Sequence, residues 1–372
     1  MTSQRLLSLD AFRGFTIAAM LLVNNPGDWG NLYSQLAHAD WHGWTFTDWI
    51  FPFFLFIGGV SMTLSLGRQA EAGADKGALL AKLWRRAALI FAIGLFLNLF
   101  PAFDFSTVRI PGVLQRIALC TALAAPIVVY YGWRGQVAWI VALLAFYSAV
   151  MLLLPVPGVD GVVAAGVLEK GRDAASWIDR LVLSGHLWPV SRTWDPEGLF
   201  STIPALCSQL FGVLAGRWLA ARVDAVERTV WLLLAGLAFV LAGAMLDVVL
   251  MPVNKSLWTT SFCVMTTGWA LLVFGAFYWL LDAAPSAALR ERMAALARPF
   301  VIFGMNALFL YALSGVVVNM IGHLGWHGAL YAPIAALPLV PKAASLAYAV
   351  AFVLAMYAVA WGMWRRRWFV KV

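Results

Sequence analysis

Long apolar runs, separated by short polar or charged stretches, recur along almost the whole chain. Ten of these runs approach the roughly 20 residues that a helix needs to cross a bilayer. Lipid offers the backbone no hydrogen-bond partners, so each run is predicted to be α-helical. The predicted spans cover residues 9–25, 45–66, 83–100, 112–131, 136–154, 199–218, 229–250, 258–281, 299–320 and 343–364.

The composition places the chain among integral membrane proteins. Of its 372 residues, 62% are hydrophobic and 12% are charged, and the mean hydropathy is +0.82. Soluble domains carry about 25% charged residues. We therefore expect an all-α fold, a polytopic helical bundle that forms a single domain over residues 1–372, without a cleavable signal peptide. Three cysteines, Cys120, Cys207 and Cys263, each lie in an apolar run, which predicts buried thiols rather than disulfides.

The net charge of +8 comes from basic residues in the short connections between the spans. With the N-terminus in the cytoplasm, most of the 26 Lys and Arg residues face inward, as the positive-inside rule requires. We therefore expect both termini in the cytoplasm, membrane lipid as the surrounding partner, and no nucleic acid. Residues 38–44 and the connections 155–198 and 321–342 are then external.

Titratable residues gather at the predicted outer face, between the first and second spans. His38 lies in the connection, and Asp48 lies near the start of the second span. Imidazole moves protons near neutral pH, and an orienting carboxylate beside it is the arrangement of acyl-transfer sites. The alternative is a hydrogen-bonded loop histidine and an acid favoured by the helix dipole. His42 is a rival for the role of His38.

The two ends of the first span also carry polar residues. Asp10 and Arg13 lie three positions apart at its start, where they can pair. Their role is either a cap with an interfacial anchor or the binding of an anion from the cytoplasm. Asn24, followed by Asn25 and Pro26, either ends the helix by ordinary stop signals or presents an amide near His38.

Arg116 is predicted to lie inside the fourth span, where an arginine must pair or line a wet cavity. It either forms an ion pair, with Asp48, Asp195 or Glu197 as partner, or binds phosphate or carboxylate. Asp195 and Pro196 fit the cap and first turn of the sixth span. Glu197 is not explained by that cap, and the two acids could bind hydroxyls or the amine of a sugar.

Polar groups also accompany the eighth and ninth spans, at Asn254, Lys255 and Asn306. An amide in lipid needs a partner, so Asn306 either joins helices or binds a ligand. The chain has no metal signature, P-loop, dinucleotide fingerprint or GxSxG elbow. The residues alone therefore predict a helical membrane protein with a polar site near its outer face, and nothing more specific.

A series of short motifs then extends over nearly the whole chain. They are Leu9-Asp10-x-x-Arg13-Gly14, Val23-Asn24, His38-Ala39-x-Trp41-x-Gly43-x-Thr45, Asp48-x-x-Phe51-Pro52, Arg109-Ile110-Pro111-Gly112-Val113-Leu114-Gln115-Arg116, Asp195-Pro196-Glu197-Gly198, Asn254-Lys255-x-Leu257-Trp258 and Gly304-Met305-Asn306-Ala307-Leu308. In these motifs the chain resembles the heparan-α-glucosaminide N-acetyltransferase family, whose bacterial members include the NagX proteins associated with N-acetylglucosamine use.

The resemblance implies an acetyl-CoA-dependent N-acetyltransferase that moves the acetyl group of cytoplasmic acetyl-CoA to the amine of an external, glucosamine-type amino sugar. By motif, His38 matches the catalytic histidine, Asn24 the asparagine near that site and Asp48 the following acid. The alternative function is an amino-sugar or N-acetylglucosamine transporter. We further expect a bacterial inner-membrane location and a homodimer, the latter from the resemblance and a GxxxG motif at Gly212 and Gly216.

The site residues expected on this interpretation fall into three groups, and no metal is expected. His38, Asp48 and Asn24 are catalytic. The residues expected to bind acetyl-CoA are Arg13, Asp10, Arg116 and Asn306. The residues expected to bind the amino sugar are His42, Trp41, Asp195, Glu197, Asn254 and Lys255.

Overall fold

A computed structural model describes residues 6–71 and 73–370 and shows an almost entirely helical chain. A 3₁₀ turn covers Ser34–Leu36, a π-helical turn covers Trp279–Ala283, and a two-stranded antiparallel ladder joins β1 (Val156–Pro157) to β2 (Val163–Ala164). The α-helices are α1 (Leu7–Asn24), α2 (Phe46–Glu71), α3 (Lys76–Leu99), α4 (Val113–Tyr130), α5 (Trp133–Leu153), α6 (Ala174–Leu183), α7 (Thr202–Ala220), α8 (Ala225–Val249), α9 (Thr260–Tyr278), α10 (Ala287–Met305), α11 (Ala307–His323), α12 (His327–Ala335) and α13 (Pro341–Arg365).

The prediction of an all-α polytopic membrane protein is confirmed. In the described residues, 8 helices are long and apolar enough to cross a membrane, and α10 with α11 brings the number to 9 if that bent pair is one span. The one predicted span that is not among these nine is the third, 83–100, which corresponds to α3; it also forms a helix but carries Lys82, Arg85 and Arg86 in its first half. These cations are the reason that α3 reads as a weaker membrane segment than the others.

The ninth predicted span, 299–320, is wrong as one continuous helix. The helices α10 and α11 meet at Asn306 with a bend of 70°. Asn306 has φ −127° and ψ 33°, which are outside helical values, so the helix is interrupted at this polar residue. The amide of Asn306 therefore lies at a helix junction.

Glycines bring α2 and α7 into backbone contact in the centre of the bundle. A Cβ on Gly212 would lie 2.1 Å from the carbonyl oxygen of Phe56, and a Cβ on Gly59 would lie 2.0 Å from that of Gln209. Gly216 meets Val60 in the same way. The GxxxG motif thus packs two helices of one chain, and it lends no support to the expected homodimer.

The connection between α5 and α7 contains little regular structure, and side-chain contacts hold it in place. Its short helix α6 begins at an N-cap, Asp173, whose carboxylate accepts the Ser176 N–H. The cap predicted for the next span is wrong: α7 begins at Thr202, and the Asp195 carboxylate instead accepts the N–H of Glu197. Asp195 is held by an ion pair, described below, so its turn stays outside the helix.

Candidate active site

His38 and Asp48 meet at one end of the bundle, which we call the His38 end. His38 Nδ1 lies 2.6 Å from Asp48 Oδ1. The Asp48 side chain is 1% exposed, whereas that of His38 is 46% exposed. The pair therefore combines a buried carboxylate with an accessible ring, as the sequence motifs predict.

The start of α2 explains why Asp48 is held so firmly. Thr45 is the residue before the helix, and Asp48 is at the third helical position, from which its Oδ2 accepts the N–H of Thr45 at 2.9 Å. An acid that reaches back to the N-cap is half of a capping box. Asp48 Oδ2 also accepts the Ala39 N–H and the Thr45 hydroxyl, and that hydroxyl reaches the Ala37 carbonyl. The helix cap thus fixes both the acid and the loop that carries His38.

The free nitrogen of His38 is the chemically available atom of this pair. Among the described residues, His38 Nε2 has no hydrogen-bond partner, while Nδ1 is engaged by Asp48. A proton held on Nδ1 leaves a lone pair on Nε2, because the two nitrogens of neutral imidazole take opposite roles. This arrangement can accept a proton or attack a carbonyl carbon.

His42 lies in a different environment, next to Trp41. Its Nδ1 is 3.5 Å from the Asn254 amide nitrogen, and partial burial lowers its pKa despite the opposing charge of Asp247. The Trp41 ring packs edge-on against Trp194, with 5.0 Å between ring centres. In the described contacts His42 has no carboxylate partner, so the geometry favours His38 over its rival.

A buried ion-pair network, Arg109–Asp195–Glu197–Lys255, lies behind this surface. Arg109 contacts both carboxylates, and Lys255 Nζ is 3.4 Å from Glu197 Oε1. Burial alone would raise the pKa of Glu197, but Lys255 and Arg109 outweigh it and lower that pKa to about 2. The acids expected to bind sugar are therefore already paired. The Gly43 N–H donates to the carbonyl of Val253, two residues before Lys255, so the network lies beside the loop that carries His38.

Arg116 does not form the expected ion pair. It is 1% exposed and donates to the carbonyl oxygens of Pro196 and Gly198 and to the Ser201 hydroxyl. Arg109 forms the ion pairs with Asp195 and Glu197 instead. The contacts of Arg116 therefore do not support its expected role in binding acetyl-CoA. Arg116 fastens the loop that leads into α7.

An amide-lined cavity of about 220 Å³ lies among α1, α3, α4 and α11 at the His38 end. Gln115 lines it, is 3% exposed, and has an Nε2 atom without a hydrogen-bond partner in the described residues. Gly94 and Gly112 leave space for its carboxamide, since a Cβ on either would lie within 2.6 Å of Gln115 Oε1. We call this space the amide cavity; its other polar lining residues are Asn24, Asn25, Asn98, Tyr311, Ser314 and Asn319.

Asn24 belongs to the amide cavity, and none of the contacts among the described residues joins it to His38. Asn98 lines the same cavity and donates to the carbonyl oxygen of Arg109 at 2.7 Å. The cavity and the ion-pair network are therefore neighbours. The expected place of Asn24 near the catalytic histidine remains a prediction.

Three residues expected to bind acetyl-CoA, Arg13, Asp10 and Asn306, lie away from the His38 pair. Arg13 and Asp10 are at the opposite end of the bundle, which we call the Arg13 end. Arg13 Nη1 is 3.2 Å from Asp10 Oδ1, which confirms the predicted pair, and Arg13 Nη2 donates to Ser61 Oγ at 2.9 Å. Asn306, the third, uses both ends of its amide on the C-terminal segment: Nδ2 donates to the Trp368 carbonyl, and Oδ1 accepts the Val370 N–H. Of the two roles considered for Asn306, joining helices or binding a ligand, these contacts favour the first.

Four residues of this region were missed as candidates: Arg109, Gln115, Asn98 and Tyr311. The first two stand in the motif that also holds Arg116, but only the fold shows which of them meets an acid and which faces a cavity. Asn98 donates to the carbonyls of Arg109 and Pro111. An amide at the end of an apolar run was the available signal for it.

Comparison with known proteins agrees with this geometry. Residues 5–179, which contain His38, Asp48 and Gln115, match the family model described as heparan-alpha-glucosaminide N-acetyltransferase, catalytic. Heparan-alpha-glucosaminide N-acetyltransferase of Mus musculus is 27% identical over 368 residues, covering 86% of this chain and 54% of the relative. The Homo sapiens protein of that name is 29% identical over 365 residues, covering 85% and 53%.

Residues 5–179, just under half of the chain, are thus similar to the catalytic region of the heparan-α-glucosaminide N-acetyltransferase family. The resemblance read from the motifs is thereby confirmed. The chain spans about half the length of the curated relatives that it matches. The family model ends before α7, so the ion-pair network joins the matched region, through Arg109, to residues beyond it.

Proposed function

We propose that this protein is a transmembrane N-acetyltransferase that uses acetyl-CoA and an amino sugar. The observation that carries the proposal is the His38–Asp48 pair, in which a buried carboxylate holds one ring nitrogen and leaves the other accessible. The names of the curated relatives support this reaction class and do not favour the transporter alternative.

In the proposed reaction His38 acts as the base and Asp48 as its positioning residue. The neutral amine of the sugar attacks the thioester carbonyl carbon with its nitrogen lone pair, and His38 Nε2 takes the proton that this nitrogen loses. A C–N bond forms, the C–S bond breaks, and the thiolate of CoA leaves with the proton. Asp48 keeps the proton on Nδ1 and stabilises the imidazolium that forms in between.

The His38–Asp48 pair is compatible with two routes for the acetyl group. The acetyl group can pass directly to the amine or rest on His38 Nε2 as an acetyl-imidazole, since an accessible imidazole nitrogen is also a nucleophile. A donor amide such as Asn24 would stabilise the oxyanion if it approaches the carbonyl. No metal takes part in either route.

The acceptor in this proposal is a glucosamine-type sugar on the external face of a bacterial inner membrane, with CoA on the cytoplasmic side. Trp41 and His42 form the accessible aromatic surface near His38 and suit a sugar or its ammonium group. Glu197 acts on the acceptor through Lys255 rather than directly, and Asp195 holds Arg109, because Arg109 already engages both acids.

Proteoliposomes loaded with acetyl-CoA and given external labelled glucosamine test the proposal. We expect acetylated sugar to appear outside, and His38→Ala to lower the rate by at least about 10²-fold, the usual contribution of a general base. His323→Ala, at an exposed histidine at the end of α11, is the matched control and should keep the wild-type rate. Full activity of His38→Ala, or sugar accumulating inside without acetyl-CoA, would contradict the proposal.

A further inference from the structure

The last helix, α13, carries an exposed stripe along its outer side. Exposed positions follow one another there at steps of three or four residues: Val350, Leu354, Ala358, Trp361 and Arg365. This spacing keeps them on one side of the helix. The stripe is apolar as far as Ala358 and then ends in an indole and a guanidinium, which is typical of a helix that passes from the hydrocarbon core into the headgroup layer.

The stripe ends at the Arg13 end of the bundle. Helix α13 begins beside the segment that follows α1, where the Ser345 hydroxyl donates to the Asp28 carbonyl, and it runs from there to the opposite end. At that end Arg298 of α10 lies over the Trp364 ring, 4.9 Å from its centre. Helices α10 and α13 therefore meet at the level where the cations of α13 begin.

The chain turns back after α13 and closes a groove at this end. Arg367 has φ +58°, in the left-handed region, and the Trp368 N–H donates to the Met363 carbonyl. Asn306 holds the turn with both ends of its amide, on the Trp368 carbonyl and the Val370 N–H. The groove, which we call the C-terminal groove, has a volume of about 640 Å³ and is lined by Val359, Trp361, Gly362, Met363, Arg365, Arg366 and Trp368.

Two arginines of the C-terminal groove are stacked on its tryptophans. The guanidinium carbon of Arg365 lies 4.9 Å from the centre of the Trp361 ring, and that of Arg366 lies 5.2 Å from the centre of the Trp368 ring. Stacking uses the face of a guanidinium and leaves the N–H groups at its edge free. In the part of the chain that the structure describes, neither arginine side chain donates a hydrogen bond or forms a salt bridge.

The C-terminal groove therefore offers unused donors and positive charge to an anion, and none of its lining residues is acidic. Guanidinium groups suit a phosphate, whose oxygens accept paired N–H groups. The same ligand must have an apolar body, because the exposed stripe runs directly into Trp361. Indole rings gather at the headgroup level of a bilayer, and basic pockets at that level hold anionic headgroups.

We propose that the C-terminal groove is a binding site for an anionic phospholipid. The phosphate of the lipid accepts N–H groups of Arg365 and Arg366, and an acyl chain lies along the apolar part of the exposed stripe. A headgroup held in this way joins the end of α13 to the segment that Asn306 fixes, so the lipid stabilises the bend between α10 and α11. The proposal is independent of acetyl transfer, because neither arginine belongs to the candidate active site.

Native mass spectrometry of the purified full-length protein tests the site. Delipidated protein in a neutral detergent is titrated with phosphatidylglycerol, which is anionic, and with phosphatidylcholine, which is zwitterionic. We expect the wild type to bind one phosphatidylglycerol about tenfold or more tightly than phosphatidylcholine. The double variant Arg365→Gln and Arg366→Gln should lose this preference, and an equal preference in the two proteins would overturn the proposal.

The matched control removes two exposed cations at the same end of the bundle, Arg134→Gln and Arg222→Gln. Arg134 lies over the Trp133 ring at 5.3 Å, much as Arg365 lies over Trp361, but it does not line the C-terminal groove. The control should keep the wild-type preference for phosphatidylglycerol. A loss as large as that of the test variant would show that net charge alone attracts the lipid, and the proposal would fail.

A charge-conserving variant tests the geometry of the two guanidinium groups. Arg365→Lys with Arg366→Lys keeps both charges but replaces each planar fork by a compact ammonium group, and we expect it to bind phosphatidylglycerol about threefold or more weakly than the wild type. Wild-type affinity would show that the stacked guanidinium groups form no site, and it would reject the proposal.

A free phosphate has the same oxygens as a lipid headgroup, and competition separates the two sources. Glycerol phosphate, which carries the phosphate without acyl chains, is added to the wild type with phosphatidylglycerol bound. We expect no displacement at equal concentration, because the apolar stripe contributes only to the binding of a ligand with a chain. Displacement would assign the groove to a soluble phosphate and overturn the lipid assignment.

The melting temperature gives a second measurement of the same site. Phosphatidylglycerol should raise the melting temperature of the wild type and leave that of Arg365→Gln with Arg366→Gln unchanged, since a ligand that binds the folded state stabilises it. Without lipid the two proteins should melt together, because both arginines are exposed and have no ion-pair partner among the described residues. A rise of the same size in both proteins would contradict the proposal.

Discussion

Asp48 shows, at the scale of a single residue, how a carboxylate is kept charged while buried. Four donors surround it: the His38 ring, two backbone N–H groups and the Thr45 hydroxyl. Buried carboxylates need such partners, because desolvation otherwise favours the neutral acid. The same contacts that satisfy Asp48 hold the imidazole in one orientation.

Asp48→Asn should lower acetyl transfer by about 10²-fold or more, since a neutral amide cannot stabilise the imidazolium. The initial rate at saturating acetyl-CoA measures the effect, with the melting temperature as a check on folding. Asp40→Asn is the matched control, because Asp40 is a fully exposed acid of the same loop. An Asp48→Asn protein with the wild-type rate would remove Asp48 from the mechanism.

Asp179 makes stability depend on pH. Burial raises its pKa from 3.8 to about 7, although the backbone N–H groups of Leu199 and Phe200 oppose the shift. Its folded pKa exceeds its unfolded pKa, so the stabilising contribution is complete below about pH 4 and is lost as the pH rises through 7. Glu197, with a pKa lowered to about 2, loses its contribution only below about pH 4.5 and does not act in this window.

Melting temperatures of the purified protein between pH 5 and pH 8 test this assignment. The wild type should become less stable as the pH rises, and Asp179→Asn should show a flatter profile, because its side chain is neutral throughout. Equal slopes for the two proteins would show that another group controls the pH dependence.

At the scale of elements, helix packing follows from where glycine allows two backbones to meet. Gly212 of α7 lies against the Phe56 carbonyl of α2, and a methyl group there would displace main chain rather than a flexible side chain. The contact positions α2, and through it the Asp48 cap.

Gly212→Ala should therefore lower the free energy of unfolding by about 1–3 kcal/mol, the usual cost of overpacking. Thermal unfolding in detergent measures it. Gly362→Ala in α13 is the matched control, since a Cβ there meets nothing within 4 Å. If both variants melt at the wild-type temperature, α2 and α7 can separate at little cost.

Element boundaries were predictable where a cap and a change from polar to apolar residues coincide. Asp48 near the start of the second span is such a case, and the helix begins at Phe46. The start of α7 was not predictable, because Asp195 and Pro196 have the residue types of a cap but are held by Arg109 and Arg116, respectively. The bend at Asn306 was not predicted: the sequence showed an isolated amide inside an apolar run, but not its partners on the C-terminal segment.

At the scale of the whole molecule, Arg109 joins parts of the chain that are far apart in sequence. It lies between α3 and α4 and binds Asp195 and Glu197, and Glu197 in turn meets Lys255 beyond α8. Such a network leaves several buried charges without compensation if its central cation is removed.

Arg109→Met should therefore destabilise the protein by about 3–5 kcal/mol, the cost of breaking a buried pair. Arg172→Met is the matched control: its partners Asp160 and Glu169 are exposed, and exposed pairs contribute about 0–1 kcal/mol. Unfolding by denaturant in detergent compares the two. Equal midpoints would show that water compensates the charges of the network.

The sequence by itself determined the helical membrane fold and the family resemblance, because hydropathy and short motifs are local properties, and it named His38 and Asp48 as a candidate pair. Only the tertiary structure decided which arginine meets the acids, where the chain bends at Asn306, and that Gln115, Asn98 and Tyr311 line one cavity. These depend on contacts between residues distant in sequence, whose partners are set by helix packing and not by the pattern around each residue.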